Sequence, residues 1–259
     1  RLGSARCGAG GCGRAFAGAG GCGAAGVLRG DAAVCPCPPL LVPEVAAGAA
    51  AELEPLRAAC DEALAALLAA GPELVVVVGT GPEPEVWTEG GAGSFHRYGV
   101  PLVAKLPSGR VEGPELSPAL TVGAWLLERA GATVPTHACA VPADAPADRM
   151  LGLGQGLAGL ADRVGLLVMG DGSACRSLKA PGYLDERAEG FDAVIADALG
   201  SADTAALAAV DPGLAGELLA EGRAPWQVLA GAAGGAGLTA RLGYRDAPYG
   251  VGYFVASWS

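Results

Sequence analysis

Five residues carry most of the chemistry this chain could offer: Cys37, His96, His137, Asp171 and Ser173. Asp171 and Ser173 fall in Gly170-Asp171-Gly172-Ser173-Ala174, just past an apolar run. Together they could serve a hydrolytic or transferase reaction as polar groups. Asp171 alone could equally form a turn or cap a helix over 174–179. A Ser–His–Asp hydrolase would need His96 or His137, the only histidines. The Gly-x-Ser-x-Gly elbow is not met around Ser173, which argues against a nucleophile of that kind. His137 sits in an apolar strand pattern and reads as a core histidine; His96 sits in a polar loop and reads as solvated. Gly79-Thr80-Gly81 could approach a phosphate, but Pro82 and Pro84 interrupt it and no helix begins there. Gly152–Gly156 is glycine-rich without a strong strand before it and reads as a loop. The eight cysteines include no CxxC pair, so zinc-site spacing is absent and they read as free thiols.

These residues need a frame. A strand over 31–34 runs into three prolines, Pro36, Pro38 and Pro39, which force an extended exit. Residues 53–70 repeat leucines at helical spacing, and Gly71-Pro72 stops them. Residues 74–78 are apolar throughout, as a strand buried on both faces should be. This β–α–β order is the core of a layered α/β domain. A long loop is expected over 79–97, then a strand at 100–104, a helix at 117–130 and a strand at 134–141. A short helix at 156–163 feeds a second buried strand at 164–169. Helices follow at 185–199, 202–210, 212–220 and 224–233. Two alternating segments, 238–244 and 251–258, close the chain as an edge hairpin. In such sheets ligands lie beyond the carboxyl ends of the strands. That selects Cys35–Pro39, Gly79–Gly81 and Gly170–Ala174. The expected fold is a single three-layer α/β domain with a mixed, mostly parallel sheet, spanning 27–259.

Residues 1–26 differ. Twenty-three of them are Gly, Ala, Cys or Arg, with little to bury and a large ordering cost. They read as a disordered extension. Residues 1–30 carry four arginines and no acid, so the remainder bears −14 against a formal total of −10. A body that acidic argues against nucleic-acid binding. No apolar run reaches the length of a membrane span, and no secretory signal is apparent, so a cytoplasmic protein is expected. The hairpin edge permits a homo-oligomer.

Several of these segments carry a resemblance. Residues 35–45 (CPCPPLLVPEV) are similar to the N-terminal signature of a group of actinobacterial proteins. Those proteins carry a domain like that of the class III extradiol ring-cleavage dioxygenases, B-subunit type. Also similar are 120–127 (LTVGAWLL), 170–174 (GDGSA), 180–183 (APGY) and 247–253 (APYGVGY). The resemblance covers about residues 31–258. It implies a non-haem Fe(II) site of two His and one Glu, open to a catechol-type aromatic and O₂, with a further His as acid/base. Position by position the carry-over is incomplete. The first iron His would fall at Cys37, a softer ligand. His96 is the nearby substitute for the second. Ser173-Ala174 stands where a Ser-His step would lie. No glutamate follows Glu221, and two histidines cannot supply three. The resemblance therefore implies a dioxygenase-like protein with an altered or lost iron site. Cys37 and His96 are its candidate metal ligands, Asp171 and Ser173 its candidate catalytic groups, and a small aromatic molecule its partner. The alternative is a non-catalytic ligand- or partner-binding protein on the same fold.

Overall fold

The computed structural model describes residues 26–88, 90–107, 109 and 114–259. The sequence-based extension, 1–26, lies outside these residues except for Gly26, whose N–H donates to the Gln155 carbonyl.

Seven strands form one sheet in the order β3-β6-β2-β7-β1-β9-β8. They are β1 (Ala32–Cys35), β2 (Leu74–Thr80), β3 (Glu85–Trp87), β6 (Thr136–Val141), β7 (Val164–Met169), β8 (Ala240–Asp246) and β9 (Tyr253–Trp258). A separate two-stranded ribbon pairs β4 (Ala92–Ser94) with β5 (Val103–Lys105). The four central strands, β6, β2, β7 and β1, run parallel. β3, β9 and β8 flank them antiparallel to their neighbours. The chain is thus α/β with a mixed, mostly parallel sheet and a terminal hairpin, as its pattern implies.

The strands are apolar on both faces because both faces are covered. Val75, Val77, Leu167 and Met169 pack under helices α1 (Glu54–Ala69) and α2 (Pro118–Arg129). Val76, Val78, Leu166 and Val168 pack on the opposite layer. That layer comprises α3 (Ala147–Ala158), α4 (Arg187–Ser201), α5 (Thr204–Ala208), α6 (Pro212–Glu217) and α7 (Arg223–Ala233). Alternate residues of one strand therefore serve two separate apolar clusters, as the period of two requires. α2 starts where Ser117 caps it: its hydroxyl accepts from the Leu120 N–H, and Pro118 occupies the first turn.

Two sequence-based expectations fail, each for a physical reason. Residues 79–97 are not one long loop, because β3 adds to the sheet edge beside β6 and β4 pairs with β5. Both strands are three residues long, too short to show alternation. The glycines at 152–156 do not form a loop either; they lie inside α3, and the expected helix at 156–163 begins nine residues earlier. A Cβ on Gly154 would stand 2.0 Å from the Val228 carbonyl oxygen of α7. Glycine is there because two helix backbones touch, and that contact outweighs its poor helix propensity.

Candidate functional site

The parallel register creates the site. Cys35 of β1 lies opposite Met169 of β7, and the Gly170 N–H donates to the Cys35 carbonyl at 3.0 Å. Two residues further along each chain segment, Cys37 and Asp171 meet. The Cys37 N–H donates to Asp171 Oδ1 at 2.7 Å across 134 residues of sequence. On the other side of β1, β9 runs antiparallel, with Val34 opposite Ala256. Tyr253, the first residue of β9, lies at this same end of the sheet. Cys37 and Tyr253 are both buried.

A carboxylate enters from the opposite layer. Gly222 lies so close to Gly170 that a Cβ on the latter would stand 2.4 Å from the Gly222 Cα. The Gly222 N–H donates to the Asp171 carbonyl at 2.8 Å. This backbone contact seats Glu221 at the crevice, where its Oε2 accepts from Thr80 Oγ1 at 3.2 Å. Thr80 is the last residue of β2, so three parallel strand ends contribute.

The electrostatics follow from that arrangement. Burial pushes the Asp171 carboxyl up to about 7; the Glu221 charge adds to the rise, and the Cys37 N–H opposes it. Burial also pushes the Cys37 thiol well up, and the charges of Asp171 and Glu221 push it further. Tyr253 moves up for the same reasons, burial first and then the charges of Asp171 and Cys37. Near neutral pH the crevice therefore presents a thiol and a phenol that keep their protons, beside a carboxyl that exchanges its own.

Of the residues singled out from sequence, the fold brings Cys37 and Asp171 together and puts the others elsewhere. Asp171 caps no helix, since 171–183 form none; it holds the Cys37 backbone instead. Ser173 is fully buried. Its hydroxyl donates to Asp192 Oδ2 at 2.8 Å and its N–H to Oδ1 at 2.8 Å. That hydroxyl braces α4. His96 sits in a single turn between β4 and β5. It lines a cleft that Cys37, Asp171 and Ser173 do not line. His137 is the second residue of β6, at the opposite end of the sheet from the crevice. Glu221 and Tyr253 are the members that sequence reasoning missed.

This donor set does not suit the iron that the resemblance implies. A facial triad needs two imidazoles and a carboxylate converging on one point. Here Cys37 has no imidazole beside it, and a thiolate is a softer ligand than the imidazole the triad calls for. Among the described residues no three of His, Cys, Asp and Glu are placed to hold a metal ion.

No family model matches the chain, and no curated protein matches it. Among solved structures, the uncharacterized protein JW3007 from Escherichia coli K12 resembles it with a TM-score of 0.52 at 15% identity. The alignment covers 89% of this chain and 99% of that one. At that identity the likeness establishes a shared α/β fold and carries nothing further about the crevice.

Proposed function

We propose that the protein is a class III extradiol dioxygenase-like protein that does not open rings with iron. In this reading its strand-end crevice binds a small aromatic molecule. The observation that carries it is the Cys37–Asp171 hydrogen bond with Glu221 alongside. Where the resemblance would place an iron ligand, the chain has a cysteine whose backbone N–H is tied to a carboxyl. The Cys37 thiol and the Tyr253 hydroxyl are donors, and Asp171 gives or takes a proton near neutral pH. That set suits a ligand whose phenol or carbonyl oxygens accept hydrogen bonds, as a catechol-type ring does. Cys35, Cys37, Cys60 and Cys175 are free thiols. Unpaired thiols fit a reducing cytoplasm, where we place the protein.

The test is metal analysis after anaerobic loading with Fe(II), followed by catechol and O₂. We expect far less than one iron per chain, no ring-opened product, and catechol binding that Asp171→Asn weakens. Stoichiometric iron together with coloured product overturns the reading. Cys37→His is expected to restore no iron binding, because the second imidazole is missing.

A further inference from the structure

A second concavity lies away from this crevice. It is a cleft of about 460 Å³ between β3, the β4–β5 ribbon and the start of α2. That volume lies within the usual range for small-molecule sites. Its floor is apolar and aromatic. Trp87 and Phe95 are buried, and Tyr98 stands 38% exposed at the side, its ring centroid 6.3 Å from that of Phe95. The Trp87 indole N–H is already used, donating to the Pro114 carbonyl at 3.1 Å. The ring therefore offers the cleft only its apolar surface and π-system.

The rim is acidic. Glu83, Glu85 and Glu115 line it against one guanidinium, Arg97, with His96 beside it. Glu115 Oε1 accepts from the Ser94 N–H at 2.9 Å, which fixes that carboxylate over the ribbon. Among the described residues, Glu83 and Glu85 make no ion pair. Excess negative charge above an aromatic floor attracts an organic cation twice over. The carboxylates act through charge, and the exposed Tyr98 ring acts through its quadrupole.

We propose that this cleft binds a small organic cation bearing an aromatic ring, of the arylalkylamine class. The ring packs against the exposed Tyr98 and the small part of Trp87 that reaches the cleft, and the ammonium lies among Glu83, Glu85 and Glu115. This inference does not depend on how the strand-end crevice is read. The cleft shares none of Cys37, Asp171, Glu221 and Tyr253.

The experiment is isothermal titration calorimetry of the full chain, at low salt and without added metal. Phenethylamine is the test cation and 3-phenylpropionate its anionic counterpart of similar shape. The amine is expected to bind at least tenfold more tightly than the acid. The double variant Glu83→Gln, Glu85→Gln should weaken the amine at least fivefold, with circular dichroism confirming the fold. Asp171→Asn should leave amine binding unchanged, which separates this site from the crevice. Equal affinity for the two compounds, or no amine binding at millimolar concentration, overturns the proposal. So does amine binding that survives the double variant, or that Asp171→Asn abolishes. The comparison of amine and acid on the unaltered protein decides the matter even if the double variant fails to fold.

Discussion

Asp171 and Asp192 lie 21 positions apart in the same half of the molecule and have opposite surroundings. Asp192 is fully buried. It accepts from the Ser173 N–H and hydroxyl, and from Arg176 Nη1 at 3.1 Å. Burial raises its carboxyl, and those donors, including a cation, pull it back. Asp171 accepts one backbone N–H and has a second carboxylate, Glu221, for its charged neighbour. One aspartate is surrounded by what a carboxylate needs. The other is left short of it. Complete satisfaction marks a brace, and incomplete satisfaction marks a group free to exchange protons with a ligand.

Replacing Asp192 with Ala tests the brace and should have the largest effect. It strands the buried Ser173 N–H and hydroxyl and leaves Arg176 with Glu189 alone, at a cost of about 3 kcal/mol. Urea denaturation measures it, and a loss below about 1 kcal/mol would remove the contrast. Gly252→Ala comes next. A Cβ there would stand 2.5 Å from Asp192 Oδ2. Crowding of that kind costs about 1–3 kcal/mol. A neutral result would mean that the pocket around Asp192 is loose.

Asp171→Asn should act in the opposite sense. The folded-state carboxyl, at about 7, lies above the unfolded value. The native state therefore binds the proton more tightly, and the unaltered protein loses stability as pH rises through that interval. Asn keeps an acceptor for the Cys37 N–H and carries no charge. The variant should gain on the native protein from about pH 4, with the gain levelling off above about pH 7. Thermal melting across pH reads this, and a gap that narrows with rising pH would contradict it. The smallest effect is expected for Cys37→Ser, under about 1 kcal/mol, because the bond to Asp171 comes from the backbone. A larger loss would show that the thiol, not the main chain, holds the pair.

The parts of this arrangement differ in how far they can be read from sequence. The valine run of β2 and the apolar run of β7 announce buried parallel strands, and the glycine and prolines that follow mark their ends. Asp171 and Cys37 stand at such ends and are visible for that reason. Glu221 is not, since a glutamate in a turn before a helix is ordinary. Only the contact between Gly170 and Gly222 brings it to Asp171. Tyr253 alternates like any strand residue, and its partner is set by antiparallel pairing that no local pattern encodes. Helix α3 is hidden because its glycines obey α7 rather than their own propensity. In each case the missing information is a contact between distant segments.

The position of β1 bears on how the chain acquires its structure. Its two sheet neighbours are β7 and β9, so the first strand among the described residues is completed only by strands made far later. During synthesis β1 waits with both hydrogen-bonding edges open while more than a hundred residues leave the ribosome. Such long-range closure is slow, because loop entropy is lost before the contacts are gained. The prolines that follow β1 lack N–H groups and offer no further strand edge to a wrong partner. The same short run that places Cys37 in the crevice thus also limits misassembly while the nascent strand waits.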